Sequence, residues 1–123
     1  MADRTVLVVD DSRVARMMTR AIIARLRETW TIIEAASGED SLEAVKAGAP
    51  DFVLMDYNMP GIDGLEAARQ LRQSCPRAAI TLVTANIQEP VRLHAAEIGV
   101  GFIPKPLRED DLRAFFDSRA EAP

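Results

Sequence analysis

The stretch that most constrains this chain is Phe-Val-Leu-Met-Asp at positions 52–56, an uninterrupted apolar run closed by one carboxylate. Ala49-Pro50 bounds it on one side and Pro60-Gly61 on the other. Between two such turns there is no room for a helix, and a continuous rather than alternating apolar run reads as a strand covered on both faces. A carboxylate ending a buried strand is costly unless partners compensate it, so Asp56 demands other polar groups at the same edge.

Reading outward from that strand, Thr-Val-Leu-Val-Val at 5–9 is a β-branched run ending in Asp10-Asp11-Ser12, where Ser12 can cap a following helix. From Arg13 to about Arg27, Val14, Met17, Met18, Ala21, Ile22 and Leu26 recur at spacings of three and four. That pattern predicts an amphipathic helix with this stripe inward, the Met17-Met18 pair filling core and the arginines forming a solvated face. Trp30 to Ala35 reads as a second strand, and Glu39 to Ala47 as a short helix closed by Gly48 and Pro50. Strand 52–56 comes third. Asp63 can cap a helix from Gly64 to about Ser74 with Leu65, Ala68 and Leu71 inward. Ala79 to Thr84 is a fourth strand; Pro90 suits the first turn of a helix to about Ile98, which Gly99 ends. Gly101 to Pro104 is a fifth, short strand, and the last helix, from about Glu109 to Arg119, turns Leu112, Phe115 and Phe116 inward.

Strands alternating with helices at this spacing imply βαβ units and a doubly wound α/β fold: a five-stranded parallel sheet with helices on both faces. No Gly-x-Gly-x-x-Gly follows the first strand, which favours the flavodoxin-like (βα)5 order 2-1-3-4-5 over a dinucleotide-binding half. Pro104 in the fifth strand agrees with an edge position there.

In such a sheet, ligands bind beyond the carboxyl ends of the strands, where the strand order reverses. The residues at those ends are Asp10 and Asp11, Asp56, Thr84 and Lys105. Neighbouring strands lie roughly 4.8 Å apart, so the three carboxylates crowd together and a lysine stem can reach them. Few oxygen ligands with room for water suit Mg²⁺, and an incomplete metal shell invites a phosphoryl oxygen. Phosphoryl transfer is therefore the leading chemistry: Asp56 as nucleophile, the metal and Lys105 as charge neutralisers, and the Thr84 hydroxyl as donor to a phosphoryl oxygen. Each residue alone has a plainer reading: a solvated Asp pair, a strand-end threonine, a surface lysine. Their joint placement at one edge carries the assignment.

Val-Val-Asp-Asp-Ser at 8–12, Met-Asp-Tyr-Asn-Met-Pro-Gly-Ile-Asp-Gly at 55–64, Thr-Ala at 84–85 and Lys-Pro at 105–106 together resemble the receiver domains of two-component response regulators, in particular the stand-alone CheY-like kind. The resemblance implies that Asp56 accepts a phosphoryl group from a sensor histidine kinase or histidine phosphotransfer protein. It implies further that Asp11, Asp56 and the main-chain carbonyl of Asn58 hold Mg²⁺, with Asp10 acting through water. Thr84, Lys105 and Phe102 would form the switch, read out by an output protein at the fourth helix, fifth strand and fifth helix. A cis Lys105-Pro106 peptide is also implied. Phe102 lacks the hydroxyl that chemotaxis-type members usually carry there, and plain core packing is the competing reading for it. Pro104 and Leu107, the latter where an aromatic is common, are further departures from the pattern. Asn58 and Asn86 flank the path of an attacking water.

The totals fit one domain over 1–123: 123 residues, 48% hydrophobic and 28% charged, with a net charge of -4. An acidic balance disfavours nucleic acid or an anionic membrane as partner. With the single Cys75, no apolar stretch near 20 residues and no leader at the start, a cytoplasmic location is expected. His94, the only histidine, is expected on the fourth helix away from the cluster. The main alternative class is a small phosphatase working through an aspartyl phosphate, like haloacid dehalogenases. Such sites typically carry a second acid two residues after the nucleophile; Asn58 stands there and cannot act as a general acid or base, so a turnover enzyme is not expected.

Overall fold

Parallel strands cannot be joined by a tight turn, so each strand of this chain must return through a helix. A computed structural model describes residues 3–85 and 88–118 and shows that alternation. The elements are β1 (Thr5–Val9), α1 (Arg13–Leu26), β2 (Thr31–Ala35), α2 (Gly38–Ala44), β3 (Phe52–Asp56), α3 (Gly64–Ser74), β4 (Ala79–Thr84), α4 (Glu89–Glu97), β5 (Gly101–Pro104) and α5 (Glu109–Asp117). They form one parallel five-stranded sheet in the order β2-β1-β3-β4-β5, the flavodoxin-like arrangement.

The helix ends follow from local chemistry. The hydroxyl of Ser12 accepts from the Ala15 N–H at 3.1 Å, and the Asp63 carboxylate accepts from the Glu66 N–H at 2.9 Å, each satisfying a donor that the first helical turn leaves open. Pro90 occupies the first turn of α4, and Gly99, with φ +71°, follows its end. Helix α2 stops at Ala44, three residues short of expectation. Val45–Ala47 tighten into a 3-10 turn, closed by a Gly48 N–H to Val45 carbonyl bond, before Pro50. The Lys105-Pro106 peptide is cis. The C-terminal end of the last helix at Arg119 lies outside the described residues.

Alternate strand residues feed two cores, one on each face of the sheet. Leu7, Val9, Val53, Met55, Ile80 and Leu82 pack with α2, α3 and α4 residues such as Ala67, Ala68, Leu71 and Ala95. Val6, Val8, Phe52, Leu54, Val83 and Ile103 pack with Ile23 of α1 and Leu112 and Phe116 of α5. All five residues of β3 are buried, as expected of a central strand. Trp30 packs just before β2: its ring stacks on Phe52 with centroids 5.3 Å apart and meets Phe116 edge-on at 5.0 Å.

Helix α1 departs from expectation. Val14, Met17 and Met18 are 65%, 58% and 65% exposed, so the methionine pair does not fill core. The inward side carries Ala15, Thr19, Ile22, Ile23 and Leu26, of which only Ile23 is fully buried. Ala15 and Thr19 are too small or too polar to mark an apolar stripe, so in the first half of the helix the visible line through Val14, Met17 and Met18 is rotated outward, while Ile22 and Leu26 turn inward as expected. The small volume of Ala15 and Thr19 also leaves a cavity of about 220 Å³ between α1 and the sheet, lined by Ala15, Met18, Thr19, Val83 and Leu107 among others. Nor do the arginines form a uniformly solvated face, since the Arg16 side chain is only 15% exposed.

Phe52, 1% exposed, contacts Trp30, Phe115 and Phe116, so its removal leaves a cavity that several rings cannot fill together. Phe52→Ala is expected to cost about 3–5 kcal/mol in urea unfolding; a loss below about 1 kcal/mol would contradict this packing.

Candidate functional site: an acidic pocket at the carboxyl edge of the sheet

The registers Val9↔Met55, Asp56↔Val83 and Thr84↔Pro104 bring the ends of β1, β3, β4 and β5 to one edge. Continuing the two-residue alternation from Val8, Leu54 and Ile103, the side chains of Asp10, Asp56 and Lys105 turn toward the α1 and α5 side. Carboxylate oxygens of Asp10, Asp11 and Asp56 all lie within 4.8 Å of one another. Lys105 Nζ stands 2.9 Å from Asp56 Oδ1 and 3.8 Å from Asp10 Oδ2. Asp10 and Asp56 are buried, whereas Asp11 is exposed.

The backbone around these groups is fixed from several sides. The Asp10 N–H donates to the Ala35 carbonyl at 3.1 Å, and the Ser12 N–H donates to Asp10 Oδ1 at 2.9 Å. Arg16 Nη1 donates to the Asp10 carbonyl at 2.7 Å. The Tyr57 N–H donates to the Val83 carbonyl at 3.1 Å, and the Lys105 N–H to the Thr84 carbonyl at 2.9 Å, tying the loops after β3 and β5 to β4. At Gly64 the start of α3 passes so close to the end of β3 that a Cβ would collide with the Asp56 carbonyl and the Tyr57 Cα. Only glycine permits that approach.

Thr84 is buried at the end of β4 and follows the alternation of Ile80 and Leu82, on the α3 and α4 side. Phe102 pairs with Leu82 in register and is half-buried, so Thr84 and Phe102 project from the same face of the sheet. Asn58 lies exposed in the loop after β3, beside an open depression lined by Tyr57, Met59, Pro60 and Asp63. His94 is exposed on α4, and Asn86 lies outside the described residues. The structure therefore brings Asp10, Asp11, Asp56 and Lys105 together, while Thr84 ends β4 at the same edge of the sheet with its side chain on the other face. Sequence reasoning passed over Arg16, which looks like one arginine among several; its signal appears only once the sheet sets Glu34 beside Val8.

Electrostatically the pocket is short of positive charge. The Asp56 pKa is raised above its ordinary 3.8, first because burial disfavours the charged form and further because Asp10 and Asp11 repel it, while the Lys105 hydrogen bond and charge oppose the shift. Burial pulls the Lys105 ammonium the other way, but its hydrogen bond to Asp56 and the three nearby carboxylates outweigh that, and its pKa is raised. Lys105 thus stays charged, yet one ammonium does not balance three carboxylates. Hard, closely spaced oxygen donors around unbalanced negative charge can hold a divalent metal ion.

A carboxylate whose pKa is raised on folding contributes most to stability below its unfolded value, and that contribution is lost as pH rises through the folded value. Removing the charge should therefore help at neutral pH. In EDTA, Asp56→Asn is expected to melt at a higher temperature than the wild type at pH 7, the gain vanishing below about 3.8. Equal melting temperatures at pH 7 would contradict the strain assigned to this carboxylate.

Comparison with known proteins agrees with this geometry. The family described as response regulator receiver domain matches residues 6–117. The chain is 40% identical over 112 residues to the cyclic di-GMP phosphodiesterase response regulator RpfG of Xanthomonas campestris pv. campestris, covering 89% of this chain and 30% of that protein. It is 36% identical over 101 residues to the response regulator UvrY of Escherichia coli, covering 81% of this chain and 46% of that protein. The chain thus spans less than half the length of these curated relatives. In fold it is similar to chemotaxis protein CheY4 of Vibrio cholerae, with TM-score 0.84 and 23% identity over 95% of this chain and 98% of that one. A CheY-like receiver domain protein from Methanospirillum hungatei gives TM-score 0.88 and 20% identity over 96% of this chain and 94% of that one. On a family match that spans nearly the whole fold, with the acidic pocket at the edge where the strand order reverses, the chain belongs to the response regulator receiver domain family.

Proposed function

We propose that this receiver domain is a phosphoacceptor switch in which Asp56 takes a phosphoryl group from a partner histidine kinase or histidine phosphotransfer protein. The observation that carries the reading is the ion pair of Lys105 with Asp56 at 2.9 Å inside a pocket of three carboxylates. A free carboxylate oxygen of Asp56 attacks phosphorus; the new O–P bond forms as the N–P bond of the donor phosphohistidine breaks, its electron pair staying on the imidazole nitrogen. Lys105 is placed to neutralise charge gathering on the phosphoryl oxygens. Asp10, Asp11, Asp56 and the Asn58 carbonyl are the groups that would hold Mg²⁺, which supplies further neutralisation of those oxygens when bound. With Asn58 rather than an acid two residues after Asp56, the domain has no second carboxylate there for rapid turnover, so it acts as a switch that slowly loses its own phosphate and not as a phosphatase.

The output follows from the face shared by Thr84 and Phe102. In the phosphorylated state the Thr84 hydroxyl would donate to a phosphoryl oxygen, and Phe102 would move into the space it leaves. The message then reaches an output protein over α4, β5 and α5. Such a modification shifts the two states only by its different interaction with each, so the second arrangement must pre-exist or be reachable once the group is added. Phe102 lacks a hydroxyl, so the coupling works through packing. Residues 1–123 act as one receiver unit, alone or within a longer regulator, in the cytoplasm; none of the described helices is long and apolar enough to cross a membrane.

Incubation with acetyl phosphate and Mg²⁺ is expected to add one phosphoryl group per chain by intact mass. EDTA should abolish it, and Asp56→Asn should remain unlabelled. Labelling of that variant equal to wild type would sink the assignment, and steady release of phosphate from added phosphomonoesters would favour the phosphatase instead.

A further inference from the structure

The loop that carries Asp10 and Asp11 is clamped by a side chain from the helix that follows it. Both polar atoms of the Asp10 main chain are engaged: its N–H with the Ala35 carbonyl at 3.1 Å, its carbonyl with Arg16 Nη1 at 2.7 Å. Arg16 is itself anchored, since its Nε donates to Glu34 Oε1 at 2.9 Å. The other Glu34 oxygen receives Arg20 Nη1 at 3.2 Å. Helical side chains lean toward the N-terminus of their helix, which carries the Arg16 guanidinium back over the first turn of α1 to the loop. Glu34 reaches the same point because β2 pairs with β1 in the register Val8↔Glu34. A planar fork held at one end by a carboxylate and at the other by a carbonyl is a rigid brace, and lysine cannot reproduce it.

We propose that Arg16 is a positioning residue. Braced by Glu34, it fixes the Asp10 peptide and thereby holds the carboxylates of Asp10 and Asp11 in the arrangement that binds a divalent cation. This rests on the reading of the pocket as a Mg²⁺ site. Its effect has a sign that separates it from simple charge: a guanidinium near a cation site repels the cation, so removing that charge alone would tighten binding. A brace predicts the opposite.

Mg²⁺ titrated into the whole chain at constant ionic strength, followed by calorimetry, decides between them. Arg16→Met keeps the length of the stem but loses both charge and donors, and its Kd for Mg²⁺ is expected to weaken about tenfold. Arg16→Lys keeps the charge and one possible donor to the Asp10 carbonyl, and is expected to weaken several-fold, a partial rescue. Circular dichroism of each variant should match the wild type. A Met variant that binds Mg²⁺ as tightly as the wild type, or more tightly, would overturn the proposal while leaving the metal reading intact. If the Met variant does not fold, an unchanged Kd in the Lys variant overturns it equally. No Mg²⁺ binding by the wild type would overturn the metal reading and this proposal together.

Discussion

The carboxyl edge of the sheet is built around one carboxylate, Asp56, of which only 5% meets solvent and which is the group proposed to accept a phosphoryl group. Burial and the neighbouring Asp10 and Asp11 push against the charge, and the single ammonium of Lys105 at 2.9 Å compensates part of it. That imbalance is what gives the pocket its appetite for added positive charge. It also explains the surrounding architecture. Strands β1, β3, β4 and β5 must end at one edge for Asp10, Asp56 and Lys105 to meet, and the loops that bear them are tied to β4 and to Ala35 by main-chain bonds.

The opposite end of the same strands does a different job. Phe52 opens β3 and sits among Trp30, Phe115 and Phe116, while Asp56 closes it four residues later. At about 3.3 Å per residue the aromatic cluster lies roughly 13 Å from the acidic pocket. One five-residue strand therefore runs from a stabilising aromatic cluster to a carboxylate whose charge is disfavoured by burial.

How much of this was legible in the residues depended on which physical signal carried it. The β3 run, the Ser12 and Asp63 caps and the Pro90 and Gly99 punctuation specify local structure directly, and the sheet order follows once five strands alternate with helices. Asp10, Asp11, Asp56 and Lys105 were legible as a cluster because the fold class dictates which strand ends meet. The first half of helix α1 was misread because its inward side there is Ala15 and Thr19, half-buried residues that leave no apolar mark, whereas exposed Val14, Met17 and Met18 mimic a core stripe; Ile22 and Leu26 turn inward as the pattern said. Arg16 was invisible for a related reason. Its partners, Glu34 and the Asp10 carbonyl, come from a neighbouring strand and from main chain, and neither leaves a pattern along the sequence.

Asp56, and neither of the two carboxylates whose oxygens lie within 4.8 Å of its own, is the group proposed to react. Borohydride reduces an aspartyl phosphate to homoserine, which marks the acceptor permanently for peptide mapping by mass spectrometry. After phosphorylation in the presence of Mg²⁺, homoserine is predicted at position 56 alone. Homoserine at position 10 or 11, or an acid-labile phosphate on His94 with no reduction product, would contradict the account.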